Sequence, residues 1–383
     1  MPNSRPSVLG RMLFCAKPLL PVLRSVRSLS TARGSLSGLK INADRLQETL
    51  HHTCQWGAAH RYGRESTETG MARLALSDDD ARVRRWFADE VADLGCALSV
   101  DEMGNMFAKR KGALQSPAPM TAMGSHLDTQ PRGGRYDGIL GILAAVEVMR
   151  TMKDNGFQTQ FDVGIVNWTN EEGARFPKSM MASGVWAGEI PREKAWNLAD
   201  IFDPSVTVKA ELERHDYIGA LACSSDAPTG FPLGAHFELH IEQGPILEES
   251  GKKIGVVQGA QAYRRDAHTG TTPLTSRKDP LLAASKMIAS SNAIAKKLGA
   301  LASTGVIKIP RGRDSGWLPL TSGAGHDSVY TSKRCQTTMI FVPCKDGVSH
   351  HPEEYCSPED CANGAQTLLE AVLGYDQLRA SRC

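Results

Sequence analysis

The 383 residues carry 44 Lys and Arg against 42 Asp and Glu, a formal charge of +2, which gives no electrostatic case for a nucleic acid or an anionic membrane surface as partner. No apolar run approaches the roughly 18 residues needed to cross a bilayer, and nine cysteines without a C-x-x-C spacing argue against a disulfide framework and for reduced thiols. The length suits two domains with ample core, and neither a G-x-S-x-G elbow nor a Walker loop is present.

Residues 1–35 differ from the rest: Arg5, Arg11, Lys17, Arg24, Arg27 and Arg33 occur among serines, with no acidic residue before Asp44. That composition fits a mitochondrial presequence and a matrix location, the alternative being a basic tail without an address on a cytoplasmic protein. Helical patterns follow at 43–50 and 77–94, the second capped by Ser77 with Asp78, Asp79 and Asp80 at its positive end. Residues 97–109 read as paired strands around Met103-Gly104-Asn105. The apolar run 118–124 then reads as a buried strand emerging into a loop, and Asp137 or Gly138 opens a helix that Asn155-Gly156 stops. A strand at 161–169, helical candidates at 179–188 and 206–215, and a strand through His240 continue the alternation. Strands at 254–257 and 304–309 flank a helix at 280–298, and a strand at 339–342 precedes a helix at 358–373 capped by Ser357. This predicts an α/β fold, a mixed sheet with helices on both faces and ligands at the carboxyl ends of its strands. The catalytic domain is expected in two pieces, 36–254 and 321–383, with a small α+β segment, 255–320, inserted between them.

Chemistry concentrates at the predicted strand ends. His126 and Asp128 close GSHLD, Asp137 follows a glycine-rich turn, Glu171 and Glu172 follow the 161–169 strand, His240 lies in HFELHIEQGP, and His350 and His351 stand before Pro352. Taken singly, a His-x-Asp pair is an ordinary hydrogen-bonded loop and adjacent glutamates an ordinary solvated surface. Their recurrence at buried strand ends points instead to a two-metal hydrolase centre, in which three imidazoles and two carboxylates hold Zn²⁺-like ions about 3.5–4 Å apart. One of the adjacent glutamates can then ligate while the other takes a proton from water.

The motifs GSHLDTQPRGGRYDGILG, TNEEGARF, HIEQGP, AHTGTTPLTSRKD, SGAGHD and GVSHHPEEY, spread over 41–378, resemble the zinc-dependent amidohydrolases of the aminoacylase and carboxypeptidase superfamily. Within it they resemble the branch of N-carbamoyl-L-amino-acid hydrolases, β-ureidopropionase (β-alanine synthase) and allantoate amidohydrolase, from whose peptidase relatives HIEQGP and Gln243 separate it. The resemblance implies a di-metal, aminopeptidase-like catalytic domain with a lid that also forms a homodimer. It implies that His126, Asp137 and His240 hold one ion and that Asp137, Glu172 and His350 hold the other. Asp128 would orient His126, Glu171 would be the general base, and Gln243, Gly325 and the oxyanion donor His268 would meet a small-molecule substrate. Zn²⁺ is the expected metal, with Mn²⁺, Co²⁺ or Ni²⁺ as substitutes.

The chain departs from that pattern in the lid. Residues 255–320 are fewer than the roughly 70 that four strands, two helices and short loops require. The family's asparagine-proline-glycine turn and arginine-bearing strand, which grip the substrate carboxylate, are missing, and Arg277, Arg311 and Arg313 do not replace them. An incomplete lid is therefore expected, with the metal ligands retained and the homodimer in doubt. Three readings follow: a hydrolase of N-carbamoyl-β-alanine or N-carbamoyl-L-amino acids; one acting on allantoate, N-acyl amino acids or dipeptides; and an inactive metal-binding protein.

Overall fold

The structure, a computed structural model, describes residues 38–260 and 317–382. In chain order its strands are β1 (Ala58–Arg61), β2 (Thr69–Met71), β3 (Ala97–Val100), β4 (Met106–Arg110), β5 (Met120–His126) and β6 (Val163–Trp168). They continue as β7 (Leu233–Ile241), β8 (Ile254–Ala260), β9 (Trp317–Ser322) and β10 (Gln336–Val342). β1 and β2 pair with each other, and the rest form one sheet in the order β3-β4-β6-β5-β7-β10-β8-β9. β5 and β6 are buried at every position, as strands covered on both faces must be.

Local chemistry sets the main helices. In α1 (Ala43–Thr53) the Asn42 side chain accepts the Arg45 N–H, and in α2 (Asp78–Asp93) Ser77 accepts that of Asp80. α3 (Ile139–Asp154) is buried over most of its length, while α4 (Pro358–Ala380) begins with Pro358 behind a Ser357 cap. One face of the sheet packs through Leu46, Leu140, Leu143, Leu368 and Val372. The other packs through Phe107, Trp168, Phe176, Trp186 and Leu212, where Trp168 and Trp186 meet edge to face at 5.4 Å. α4 continues past the expected residue 373, because Asp376 turns inward to accept the N–H groups of Gln160 and Phe161.

The expected insertion, 255–320, is described only at its two ends. Ile254–Ala260 and Trp317–Ser322 belong to the main sheet: β8 pairs antiparallel with β10 and parallel with β9. Leu247, Leu320, Met339 and Phe341 form the small core that holds them there. The presequence reading, the 280–298 helix, the 304–309 strand, His268, Arg277, Arg311 and Arg313 lie outside the described residues. The seven cysteines among the described residues are all free, and no helix there is long and apolar enough to cross a membrane.

What positions the site is the run of four mutually parallel strands, β6-β5-β7-β10. Their carboxyl ends share one edge of the sheet, with His126 level with Trp168 and His240 level with Phe341. Residues that follow these strands are thereby brought to one crevice.

Candidate metal centre

Two groups of ligand-type atoms, each lying within 4.8 Å of one another, form at that edge: His126, Asp137 and His240, and Asp137, Glu172 and His350. Asp137 serves both. Its Oδ1 is 2.9 Å from His240 Nε2 and 3.6 Å from His126 Nε2, while its Oδ2 is 3.2 Å from His350 Nε2. Glu172 Oε2 is 3.4 Å from His350 Nε2 and accepts a hydrogen bond from Gln130 at 2.7 Å. Glu171 stands outside both groups, with Oε2 3.6 Å from His126 Nε2.

The surrounding chain fixes these side chains. Nδ1 of His126 lies 2.9 Å from the Asp128 carbonyl and Nδ1 of His240 lies 2.9 Å from that of Ile241. A carbonyl only accepts, so Nδ1 carries the proton in both rings and Nε2 is left to face Asp137. Asn170, at φ 56°, donates its side-chain amide to the Phe176 and Lys178 carbonyls and so pins the Glu171-Glu172 loop. Gly138 has φ 65°, and a Cβ there would lie 2.3 Å from His126 Nε2, so the turn after Asp137 closes over the imidazole only because this residue has no side chain.

Asp128 was expected to orient His126 through its carboxylate. Its Oδ1 is 3.9 Å from the ring, and the orienting atom is its main-chain oxygen. The carboxylate instead accepts the N–H groups of Glu171 and Glu172, each at 3.3 Å. The chain turns after β5, so the two side chains do not share a face as they would in a continuing strand.

Electrostatically the centre is an excess of buried acid. Burial opposes the charge of His240, but Asp137 and Glu238 outweigh it and lift the ring to about 9. The Glu172 charge, with Asp137 and Glu354, lifts His350 to about 10. His126, where burial dominates, falls to about 4. Asp137 pays for burial but is held well below the usual carboxylate range by His240 and His350. Burial, then the charges of Asp327, Glu172 and Asp137, pushes Glu171 well up, and burial with Asp80 and Glu172 takes Asp128 to about 8.

The residues fit a pair of divalent cations. His126 Nε2 and Glu172 Oε1 are buried without a hydrogen-bond partner, a costly condition that a bound cation relieves. Imidazole nitrogen with carboxylate oxygen suits Zn²⁺ and its neighbours in the first transition row.

Of the expected substrate residues, Gln243 has φ 57° and donates to Asp137 Oδ2 at 2.7 Å, so it lies against the bridging carboxylate. Gly325 is in the turn after β9, where a Cβ would meet Met180 at 2.8 Å. Sequence reasoning passed over Gln130, Glu354 and His326. His326 stacks edge-on against His240 at 4.5 Å and bonds Ser322. SGAGHD and GVSHHPEEY contain two of these three, but no spacing marks them as parts of the centre.

The sequence profile of the Peptidase family M20/M25/M40 matches residues 122–374. An N-carbamoyl-L-amino-acid amidohydrolase of Rhizobium meliloti is 33% identical, with 87% of this chain and 96% of that protein covered. A ureidoglycolate hydrolase of Oryza sativa subsp. japonica is 26% identical, with 88% and 86% covered. Among solved structures, an amidase of the hydantoinase/carbamoylase family from Burkholderia vietnamiensis superposes with a TM-score of 0.67 at 33% identity, covering 87% of this chain and 97% of its own. With the paired ligand groups and the sheet that carries them, these matches place the chain in the Peptidase family M20/M25/M40, among its hydrolases of carbon–nitrogen bonds in linear amides.

Proposed function

We propose that this chain hydrolyses N-carbamoyl amino acids, N-carbamoyl-β-alanine or N-carbamoyl-L-amino acids, to the free amino acid, CO₂ and ammonia, using two divalent ions of which Zn²⁺ fits best. The observation that carries the reading is a single buried carboxylate, Asp137, whose two oxygens serve two ligand groups while Glu171 lies beside them and belongs to neither. When bound, the ions lower the pKa of water and polarise the scissile carbonyl. Glu171 takes the proton of the attacking water, and burial, with the surrounding carboxylates, raises its proton affinity and suits it to that task. The water oxygen bonds to the carbamoyl carbon, the bond to the amino-acid nitrogen breaks, and Glu171 returns the proton to that nitrogen. The carbamate left behind decomposes to CO₂ and ammonia. Asp128, by accepting the Glu171 and Glu172 N–H groups, holds base and ligand in one frame.

Two observations favour other readings. The rice relative acts, by its name, on ureidoglycolate, which supports a ureido acid as substrate. The alignment with the Rhizobium protein runs over 417 positions, more than the 383 residues of this chain, so some of its positions face gaps here, the direction that a shortened insertion requires. Losing the lid's charge-assisted carboxylate contact costs about 1.5–3 kcal/mol of binding, and losing closure costs positioning as well. In the limit, the chain binds metal without turning over. The composition of residues 1–35 supports mitochondrial import, and the missing lid motifs weigh against the homodimer.

Ammonia release by the full chain with added Zn²⁺ or Mn²⁺ tests the proposal, against N-carbamoyl-β-alanine, N-carbamoyl-L-amino acids, allantoate and ureidoglycolate. Release on a carbamoyl substrate that falls about 10²–10⁴-fold in Glu171→Gln, with metal content unchanged, is the expected result. A folded protein holding two ions and releasing no ammonia would sink the hydrolytic reading and leave the inactive one.

A further inference from the structure

The Glu354 carboxylate lies between the two chain segments that bring Asp137 and His350 together, and it is 2% exposed. Its Oε1 accepts the main-chain N–H groups of Tyr136 at 3.0 Å and Asp137 at 2.9 Å, and its Oε2 accepts that of His350 at 3.3 Å. The contact joins positions 217 residues apart.

Three features of its surroundings indicate alignment of ligands rather than filling of space. His350 has φ 55°, a left-handed conformation that costs a residue with a Cβ about 1–2 kcal/mol and needs an outside contact to hold it. Glu354 supplies that contact, and it also closes the turn by donating its own N–H to the His351 carbonyl at 3.0 Å. Lastly, a Cβ on Gly134 would lie 2.3 Å from Glu354 Cβ, Cδ and Oε1, so the carboxylate occupies room that only a glycine leaves. It thus grips the backbone of the bridging ligand with one oxygen and that of the His350 ligand with the other.

We infer that Glu354 is a positioning residue that aligns Asp137 with His350 and thereby sets the affinity of the Asp137–Glu172–His350 group for its ion. The inference rests on the two-metal reading above. Metal ligands must be placed to within about 0.2 Å, and groups that orient ligands without touching the metal are worth about 10–100-fold in affinity.

The asymmetry of the three hydrogen bonds makes the claim specific. In Glu354→Gln the amide oxygen keeps the Tyr136 and Asp137 N–H groups, but the amide nitrogen then faces the His350 N–H, donor against donor. That substitution removes the His350 contact alone, whereas Glu354→Ala removes all three.

The test is a Co²⁺ titration of the metal-free full chain by equilibrium dialysis, with the visible absorption of bound Co²⁺ reporting ligand geometry and the melting of the metal-free protein reporting the fold. Wild type should bind two ions. Glu354→Gln should keep one within about threefold of wild type, with the absorption of a His350→Ala variant, and weaken the other by about 10–100-fold at a similar melting temperature. Glu354→Ala should weaken both. Gly134→Ala, whose Cβ would meet Cβ, Cδ and Oε1 of Glu354 and crowd the carboxylate out, should weaken both ions as Glu354→Ala does; it stands in if a Glu354 variant does not fold, and unchanged binding of both ions there again overturns the inference. Unchanged binding of both ions in Glu354→Gln, or an equal loss of both, overturns the inference. A wild-type chain that binds fewer than two ions would instead overturn the metal centre itself.

Discussion

Gly138→Ala puts the geometry of the centre to a quantitative test. Gly138 links Asp137 to α3 at φ 65°, and a Cβ there would lie 2.3 Å from both Nε2 and Cε1 of His126. Alanine meets two costs. The left-handed conformation costs it about 1–2 kcal/mol relative to glycine. Ordinary contact begins near 3.4 Å, so the imidazole must also retreat by about 1 Å. The ring is 1% exposed and tied through Nδ1 to the Asp128 carbonyl, so retreat stretches a buried hydrogen bond worth about 1 kcal/mol. The sum, about 2–3 kcal/mol, is compatible with a folded protein that melts lower. A shift of about 1 Å is nonetheless several times the tolerance of a metal ligand. The expected outcome is a folded chain whose His126–Asp137–His240 group binds its ion at least about tenfold more weakly, with amide hydrolysis falling in step. Calorimetric melting with metal analysis after dialysis measures both parts. Two ions retained at wild-type affinity, with unchanged melting, would refute the reasoning.

Three further outcomes follow from the same structure. His240 and His350 are raised to about 9 and 10 in the metal-free chain, so both are protonated at pH 7 and must lose their protons to bind an ion. Calorimetric metal titration in buffers of different ionisation enthalpy should therefore show proton release and an affinity that rises with pH up to about 10; buffer-independent heats contradict this. His236 is fully buried beside Trp168 Nε1, and burial lowers it to about 3. Below about 6.5 the unfolded chain takes up a proton that the folded one refuses, so stability is present above that pH and lost as it falls toward 3. Between pH 7 and 5 wild type should lose about 2 kcal/mol more than His236→Gln in denaturant unfolding, and parallel curves would rule this out. Arg84 is 1% exposed, pairs with buried Asp80 at 2.8 Å and donates to the Gly104 carbonyl and the Thr169 hydroxyl. Arg84→Met leaves the Asp80 carboxylate unpaired and should cost about 3–5 kcal/mol of unfolding free energy; a loss below about 1 kcal/mol would show that the pair is not needed.

The parts of this protein that could be read from sequence are those with a local signature. Ser77 and Ser357 announce their helices within three residues, and β5 and β6 are short apolar runs between breaks. His126, Glu172 and His240 are recognisable because each is at or just beyond the end of such a strand. Contacts between distant segments left no such trace. Ile254–Ala260 and Trp317–Ser322 look like an insertion by composition, and only pairing with β10 makes them part of the sheet. The i, i+2 spacing of His126 and Asp128 suggests one shared face, yet the turn after β5 gives the carbonyl to the ring and sends the carboxylate to another loop. Glu354 acts across 217 residues through main-chain N–H groups, which impose no requirement on the sequence of their own residues.

The charge balance of the interior supplies an argument for the metal centre that does not depend on motif. Asp128, Asp137, Glu171, Glu172, Glu238, Asp327 and Glu354 are all buried around His126, His240 and His350, and at His126 burial outweighs the neighbouring acids. A group of acids this dense cannot ionise together in a low dielectric without cations among them, which is why burial and mutual repulsion push so many of them upward. Hydrogen bonds from Gln130, Ser125, Ser183 and Ser328 satisfy individual oxygens but bring no positive charge. Two divalent ions at the paired groups would supply four positive charges where the acids converge. On the two-metal reading proposed above, the same interior that is unfavourable for the bare chain becomes the source of its affinity: the Asp137 carboxylate would serve both ions, and Glu171, outside both ligand groups, would exchange the proton.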